Sequence, residues 1–265
     1  MELVSITSGS SGNCIYVGSD NTNILVDVGL SGKRVEEGLN SLGLSIRDLD
    51  GILITHEHMD HIAGIGVISR KYEIPIYATR GTIEGIKYTK NIGDIDTELF
   101  TEIKADNSFF VNDLKINPVR ISHDANEPCA YRIDCDNKSV GICTDLGIYS
   151  DYTVESFKGV NAMLLEANHD VNMLQVGSYP YYLKRRILSD KGHLSNENSG
   201  RLLCRLLHDD FGTVLLGHLS QENNLAELAY EAVRLEILMS DIKYKPEDFN
   251  IVVASRSEVS DKIAV

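Results

Sequence analysis

The sequence predicts a single α/β domain that spans residues 1–265 and consists of two related halves. Three observations lead to this expectation. Short apolar runs typical of buried strands alternate with segments whose apolar residues recur at helical spacing. A hairpin pattern near the N-terminus recurs in the middle of the chain. No linker or low-complexity stretch divides the sequence, and a chain of 265 residues can bury a large core as one domain.

The predicted elements follow in chain order. Two hairpins are indicated by paired apolar runs around short polar turns, at 14–18 with 22–27 and at 129–134 with 139–143. Further buried strands are expected at 51–55, 74–78, 113–122, 162–166, 213–217 and 251–254. Helical spacing indicates helices over 31–41, 61–72, 149–158, 180–188, 196–209 and 222–240.

The last predicted helix carries a stripe of apolar residues. Leu225, Leu228, Ala229, Ala232 and Leu235 recur at the spacing of one helix face. We expect this stripe to face the core rather than to bind a cofactor.

Four potential metal ligands lie within six residues, directly after the predicted strand 51–55. The segment is His56-Glu57-His58-Met59-Asp60-His61, and it contains three of the eight histidines of the chain. Imidazole and carboxylate together suit Zn²⁺, Mn²⁺ or Fe²⁺. A turn between a strand and a helix can aim neighbouring side chains in different directions, so that two ions are bound. A polar turn with surface histidines is the alternative, and it leaves the clustering unexplained.

Three more potential ligands follow other predicted strands. His123, Asp145 and His218 each come directly after a short apolar run. Loops at strand ends on a rigid scaffold commonly carry the chemistry of a protein. We therefore expect these residues to complete a site for two metal ions.

The spacing of these ligands resembles that of the metallo-β-lactamase superfamily, whose motif H-x-H-x-D-H is followed by a distant His, Asp and His. The resemblance implies a four-layer αββα sandwich with two facing mixed sheets. It implies that His56, His58 and His123 hold one ion, that Asp60, His61 and His218 hold the other, and that Asp145 bridges them. Asp27 occupies the position of a carboxylate that orients the metal ligands.

Within the superfamily, the chain is most similar to the small bacterial proteins called YycJ or WalJ. The similarity is carried by Thr7–Asn13, Glu166–Asp170, Gly192–Asn196 and Gly217–Asn224. It implies a metal-dependent nuclease that degrades DNA, and possibly RNA, in the 5′ to 3′ direction. Asp145 and His218 are too close in sequence to flank the inserted domain of the β-CASP nucleases.

His193 lies in a segment that the chain repeats. Gly192-His-Leu-Ser-Asn-Glu-Asn198 resembles Gly217-His-Leu-Ser-Gln-Glu-Asn223. The serine of each copy suits the first position of a helix, so the repetition can reflect helix capping alone. His193 also resembles the additional histidine that phosphodiesterases of this fold present to the scissile phosphate. There an imidazole stabilises the developing oxyanion or protonates the leaving oxygen.

Further substrate contacts are expected around the site. The segment Tyr179–Arg186 combines tyrosines with Lys184, Arg185 and Arg186, which suits either a stacking platform for a single strand or a solvated helix face. His169 and Asp170 end a predicted strand and either contact substrate or cap a helix. In the glycine-rich turn 7–13, Ser10 and Asn13 are candidates for binding an anion.

The composition fits a cytoplasmic enzyme with a small footprint on its substrate. A net charge of −14 argues against a broad basic face that coats nucleic acid. The sequence shows no signal peptide and no membrane-spanning run. The five cysteines form no CxxC pair and are expected to be reduced, with Cys143 in the core rather than at the metals.

The function predicted from these observations is hydrolysis of a phosphodiester by a hydroxide that bridges two divalent ions. We expect Asp60, His193 and Asp27 to serve catalysis, and the end of a DNA strand to be the substrate. A phosphodiesterase for small nucleotides or a thioester or lactone hydrolase would use the same metal site. A diiron redox unit or a regulatory module is the alternative outside hydrolysis. The oligomeric state is not predicted by the sequence.

Overall fold

The computed structural model describes residues 1–265 and contains two sheets of seven strands each. In chain order the strands are β1 (Glu2–Thr7), β2 (Cys14–Gly18), β3 (Asn23–Val26), β4 (Gly51–Leu53), β5 (Ile76–Thr79), β6 (Phe100–Ile103), β7 (Phe109–Val111), β8 (Leu114–Arg120), β9 (Cys129–Cys135), β10 (Lys138–Cys143), β11 (Ala162–Glu166), β12 (Thr213–Gly217), β13 (Asn250–Val253) and β14 (Ile263–Ala264).

The chain forms nine α-helices, most of which pack on the outer faces of the sheets. They are α1 (Gly32–Ser41), α2 (Met59–Ile62), α3 (Ile65–Tyr72), α4 (Arg80–Tyr88), α5 (Asp151–Phe157), α6 (Val171–Val176), α7 (Tyr181–Ile187), α8 (Asn196–Leu206) and α9 (Ala226–Met239).

The two sheets have the same arrangement of antiparallel and parallel strands. The first has the order β14-β1-β2-β3-β4-β5-β6, with antiparallel pairing up to β3 and parallel pairing from β3 onward. The second has the order β13-β12-β11-β10-β9-β8-β7, and it is parallel from β10 to β13 and antiparallel elsewhere. Both predicted hairpins are present, as β2–β3 and β9–β10. The predicted relation between the two halves is therefore visible in the topology.

Three apolar clusters define four layers. One lies between the sheets and combines residues of both, such as Ile15 and Leu53 with Tyr131 and Leu215. A second joins the first sheet to α1, α3 and α4. The third joins the second sheet to α5, α8 and α9. Burial of both faces explains why the strands are nearly continuous apolar runs, and the predicted αββα sandwich is confirmed.

The predicted helix over 61–72 is two helices. The break falls at Gly64, whose N–H donates to Val28 O (2.9 Å). A side chain at Gly64 would clash, because its Cβ would lie 2.0 Å from the carbonyl oxygen of Leu30. Glycine therefore lets the chain pass close to the end of β3, and this close passage interrupts the helix. Strands β1, β6, β7 and β14 and helices α4 and α6 were not predicted.

The prediction that the apolar stripe of α9 faces the core is wrong for its leucines. Leu225, Leu228 and Leu235 are 54%, 37% and 46% exposed, whereas Val233 is fully buried. The buried face is narrow because α9 approaches α8 closely: a Cβ on Gly200 would lie 3.1 Å from Cα of Val233. Small and branched residues fit this contact, and the leucines turn outward.

The cysteines are free, as predicted. Cys143 lies in the apolar cluster between the second sheet and its helices, which agrees with its predicted place in the core. None of the helices combines the length and the apolar character that crossing a bilayer requires.

Candidate metal centre and active site

The predicted metal ligands gather where strands of both sheets end. Asp27, Asp145 and His218 each lie at or just beyond the end of a strand. All three have left-handed backbone conformations, with φ of 62°, 58° and 54°. Residues other than glycine adopt this conformation at a cost, and such strain concentrates at functional sites. Here the left-handed conformation turns each of the three side chains away from the direction of its strand and toward the site.

The turn that carries His56–His61 is held against the first hairpin. The N–H of Asn13 donates to the carbonyl oxygen of Asp60 (2.8 Å), and Gly29 bonds in turn to Asn13 O (2.8 Å). A Cβ on Gly29 would lie 1.8 Å from Asp60 O, so no larger residue fits between them. This close backbone packing fixes the position of the turn relative to β3.

Three histidines converge on one point at the end of the first sheet. His56 Nε2 lies 3.1 Å from His58 Nδ1, and His123 Nε2 lies 3.3 Å from the same atom. The His56 and His123 side chains are buried. The structure thus brings together the three residues predicted to hold one ion.

A second group lies beside the first. Asp60 Oδ2 is 3.5 Å from His61 Nε2 and 3.4 Å from His218 Nε2. These are the three residues predicted to hold the other ion, and their donor atoms again converge.

Asp145 faces both groups. Its Oδ1 lies 3.6 Å from His123 Nε2, and its Oδ2 lies 3.1 Å from His61 Nε2. Burial by itself would raise the pKa of Asp145, yet the imidazoles of His218 and His61 hold that pKa well below its usual range. The carboxylate therefore lies, ionised, between the two groups, in the position predicted for a bridging ligand.

The donor atoms fit divalent metal ions. Nitrogen ligands about 2.0–2.1 Å from a tetrahedral ion lie about 3.3 Å from one another, which matches the spacing in both groups. Asp145 Oδ2 is buried without a hydrogen-bond partner and lies 3.1 Å from His61 Nε2. A buried carboxylate oxygen left in this way needs a partner, and a cation bound between Asp145 and His61 supplies one.

A shell of hydrogen bonds orients the ligands. Asp27 Oδ2 lies 2.7 Å from His61 Nδ1, so Nε2 is the ring nitrogen that His61 presents to the site. Thr55 holds Asp27 through its N–H (2.8 Å) and its hydroxyl (2.8 Å). His123 is oriented in the same way, since its Nδ1 lies 3.1 Å from the carbonyl oxygen of Gly192. Such partners select the tautomer and fix the ring of a metal ligand.

His193 lies close to both groups of predicted metal ligands and is paired with a buried carboxylate. Its ring centroid is 5.1 Å from that of His123 and 5.3 Å from that of His218. Its Nδ1 is 2.7 Å from Glu166 Oε1, so Nε2 is not engaged by this contact. Burial alone would raise the pKa of Glu166, but the His193 ring and its hydrogen bond hold that pKa at about 2. The N–H groups of Leu146 and Leu194 also donate to Glu166.

Known proteins with this architecture were found by sequence and by structure. The family model described as the beta-lactamase superfamily domain matches residues 22–218. The exodeoxyribonuclease YycJ of Bacillus anthracis is 42% identical over 228 residues, or 86% of each chain. The exodeoxyribonuclease WalJ of Streptococcus pneumoniae is 40% identical over 237 residues, or 89% of this chain and 88% of that one.

The chain belongs to the metallo-β-lactamase superfamily. The fold agrees, since the metallo-β-lactamase fold protein YhfI of Bacillus subtilis superposes with a TM-score of 0.72 at 17% identity over 98% of both chains. The predicted resemblance to the superfamily and to its YycJ and WalJ members is confirmed.

The other residues predicted to contact substrate differ in their surroundings, since some are exposed and others are buried. Asn13 is buried, and its Nδ2 lies 3.1 Å from His61 Nε2, so it supports the metal turn. Ser10 is exposed at the tip of the glycine-rich turn. His169 is buried beneath the site, where burial lowers its pKa to about 4. Asp170 caps α6 through the N–H of Met173 (2.7 Å), as the capping alternative predicted.

The basic residues of α7 have different roles: some make contacts within the protein, and others lie at the surface. Lys184 donates to the carbonyl oxygens of Gln175 (2.8 Å) and Gly177 (2.7 Å), so it secures the end of α6. Arg186 pairs with Asp124, which adjoins His123. Arg185 lies 6.0 Å from the ring of Tyr181, which is exposed.

Sequence reasoning missed Glu166 and Thr55. Glu166 was visible as a carboxylate at the end of an otherwise apolar run, where Asp27 and Asp145 also stand. That position was a signal for a site residue. Thr55 carries no comparable signal, because a threonine that ends a strand is ordinary in any sheet.

Proposed function

We propose that this chain is a metal-dependent nuclease that removes nucleotides from the 5′ end of DNA. The observation that carries the proposal is the Glu166–His193 pair beside the two groups of metal ligands. Two relatives that cover most of the chain, both named exodeoxyribonucleases, support DNA as the substrate. Five free thiols fit the reducing cytoplasm, where we place the enzyme.

The chain's residues would hold two divalent ions, of Zn²⁺, Mn²⁺ or Fe²⁺, in the positions described. Such ions supply a hydroxide nucleophile at neutral pH and positive charge beside the phosphate. His56, His58 and His123 would bind one ion, Asp60, His61 and His218 the other, and Asp145 both. Asp27 keeps Nε2 of His61 directed at the centre.

His193 acts on the phosphate or on the group that leaves it. Its Nδ1–H is held by Glu166, so its Nε2 is available to donate a proton to the leaving oxygen or a hydrogen bond to the developing oxyanion. When phosphorus parts from the leaving oxygen, that oxygen takes the proton and the imidazole becomes neutral. Glu166 accepts the Nδ1–H and so holds the ring with Nε2 directed away from the carboxylate.

A DNA strand bound at the metal centre would extend along α7. Tyr181 and Tyr182 are 76% and 74% exposed, and the guanidinium of Arg185 lies 6.0 Å from the Tyr181 ring. Exposed aromatic rings next to cations let bases stack while the backbone is neutralised. The pair of Arg186 with Asp124 lies at the edge of the centre, next to His123. These contacts favour a strand over a small nucleotide as the substrate.

The proposal is tested by digestion of end-labelled single-stranded DNA and RNA with metal-reconstituted protein. Each strand carries either a 5′-phosphate or a 5′-hydroxyl, and bis-p-nitrophenyl phosphate serves as a small substrate. We expect stepwise loss of nucleotides from the 5′ end of DNA. Intact strands with hydrolysis of bis-p-nitrophenyl phosphate would indicate a small-molecule phosphodiesterase instead. Hydrolysis of thioesters or lactones alone would contradict phosphodiester chemistry.

A further inference from the structure

Arg256 lies between the two loops that meet at His218. Its guanidinium donates to the carbonyl oxygen of Ser220, two residues beyond His218. Its stem packs on Gly9, where a Cβ would lie 2.9 Å from Cγ of the arginine. The neighbouring Ser8 accepts the N–H of His218 through Oγ (2.9 Å). The arginine is therefore fixed in the wall of the metal centre.

The charge of Arg256 has no carboxylate partner. No acidic side chain lies within 4.0 Å of its guanidinium, whereas Arg186 is paired with Asp124. Burial lowers the pKa of Arg256, although the phenol of Tyr179 opposes that effect. A half-buried cation is costly to leave unpaired in a protein with a net charge of −14. Its position suggests an anionic partner that the chain itself does not supply.

The adjacent turn offers further donors. The backbone N–H groups of Ser10 and Ser11 donate to no acceptor in the chain, and both serines are exposed. Gly9 N, by contrast, is bound to Asn13 Oδ1 (3.0 Å), which fixes the shape of the turn. Successive free N–H groups in a turn form a concave site for an anion.

We propose that Arg256 and the Gly9–Ser11 turn form a second phosphate subsite, next to the scissile position. The ligand is a phosphate of the strand other than the one that is cleaved. It is either a terminal 5′-phosphate or the neighbouring internal phosphate. The inference rests on the proposed function, since it assumes that the substrate carries more than one phosphate.

The test compares Arg256→Gln with wild type in binding a labelled hexathymidylate with phosphorothioate linkages, which resists cleavage. Metal-reconstituted protein is titrated at several salt concentrations with 5′-phosphorylated and 5′-hydroxyl strands, and binding is followed by anisotropy. We expect the affinity to fall about tenfold, and the slope of log K against log salt to fall by about 0.7. Arg256→Lys should retain the slope. Arg234→Gln, on the outer helix α9, is the matched control and should bind as wild type.

The two strands distinguish the two sources of phosphate. A loss confined to the 5′-phosphorylated strand assigns the subsite to the terminal phosphate, and an equal loss on both strands assigns it to the internal one. Hydrolysis of bis-p-nitrophenyl phosphate, which has a single phosphate, should fall much less in Arg256→Gln than the affinity for the strand does.

Three results would overturn the subsite: unchanged affinity and salt slope in Arg256→Gln, failure of wild type to bind either strand, or a loss of bis-p-nitrophenyl phosphate hydrolysis as large as the loss of affinity for the strand. The last result would show that Arg256 only stabilises the loop that contains His218. Cleavage of ordinary strands by wild type tests the proposed function separately, so the two failures are distinguishable.

Discussion

Replacing Asp145 by alanine should remove both metal ions and lower turnover by about four powers of ten or more. The carboxylate is buried between the two groups of ligands, with one oxygen toward each. Without it, each group loses its shared anionic ligand, and the chemistry that the ions supply is lost with them. Metal content after gel filtration and the rate of phosphodiester hydrolysis are the two measurements.

Two control variants separate ligand loss from backbone strain. Asp145 has a φ of 58°, which alanine tolerates poorly, whereas asparagine tolerates it well. Asp145→Asn keeps the shape and the conformation but not the charge, so we expect it to lose metal as well. Asp151→Ala removes an exposed carboxylate of α5 and should have no effect. Two ions retained in Asp145→Ala would refute the bridging position.

Replacing His193 by alanine should lower turnover on DNA by two to four powers of ten while both ions stay bound. The loss corresponds to the contribution that a positioned acid typically makes. Glu166→Gln keeps the imidazole but removes the charge beside Nδ1, so we expect a smaller loss in the same direction. Turnover and metal content are measured together on each variant.

The leaving group reveals what His193 does. A deoxyribose oxygen needs a proton as it leaves, whereas p-nitrophenolate leaves readily without one. If His193 is the acid, the defect of His193→Ala should be large on DNA and small on bis-p-nitrophenyl phosphate. If it stabilises the oxyanion, the two defects should be alike. Unchanged turnover on both substrates would remove His193 from the mechanism.

The ligand positions were accessible from local sequence patterns, and the αββα fold was predicted through the resemblance of those patterns to a known superfamily. The segment His56–His61 places four donors within one turn, and Asp145 and His218 follow apolar runs whose ends must meet at the edges of the sheets. Strands buried on both faces are recognisable as such runs, since water contacts neither side. A local pattern therefore predicted contacts between residues far apart in the chain.

Other features depend on tertiary packing and could not be predicted. The leucines of α9 turn outward because α9 fits closely against Gly200 of α8, a contact with no local signature. The break at Gly64 depends on the passage of the chain near Leu30. The pairing of Glu166 with His193 joins the end of β11 to the loop before α8, with α6 and α7 between them in sequence, and it becomes visible only when the chain is folded.

The position of the metal ions relative to His193 decides whether this histidine acts as a proton donor or as a ligand. A further group of donors exists, formed by Asp145, Glu166, His193 and His218. An ion bound there would make His193 a ligand instead of a proton donor. The separation of 2.7 Å between His193 Nδ1 and Glu166 Oε1 is that of a hydrogen bond, which is shorter than the spacing of two ligands of one ion.

Anomalous diffraction from crystals of the manganese- or zinc-reconstituted protein tests this arrangement most directly. We expect two anomalous peaks, one among His56, His58 and His123 and the other among Asp60, His61 and His218, with Asp145 between them and His193 bound to neither. A single peak within the group of Asp145, Glu166, His193 and His218 would contradict the proposed site.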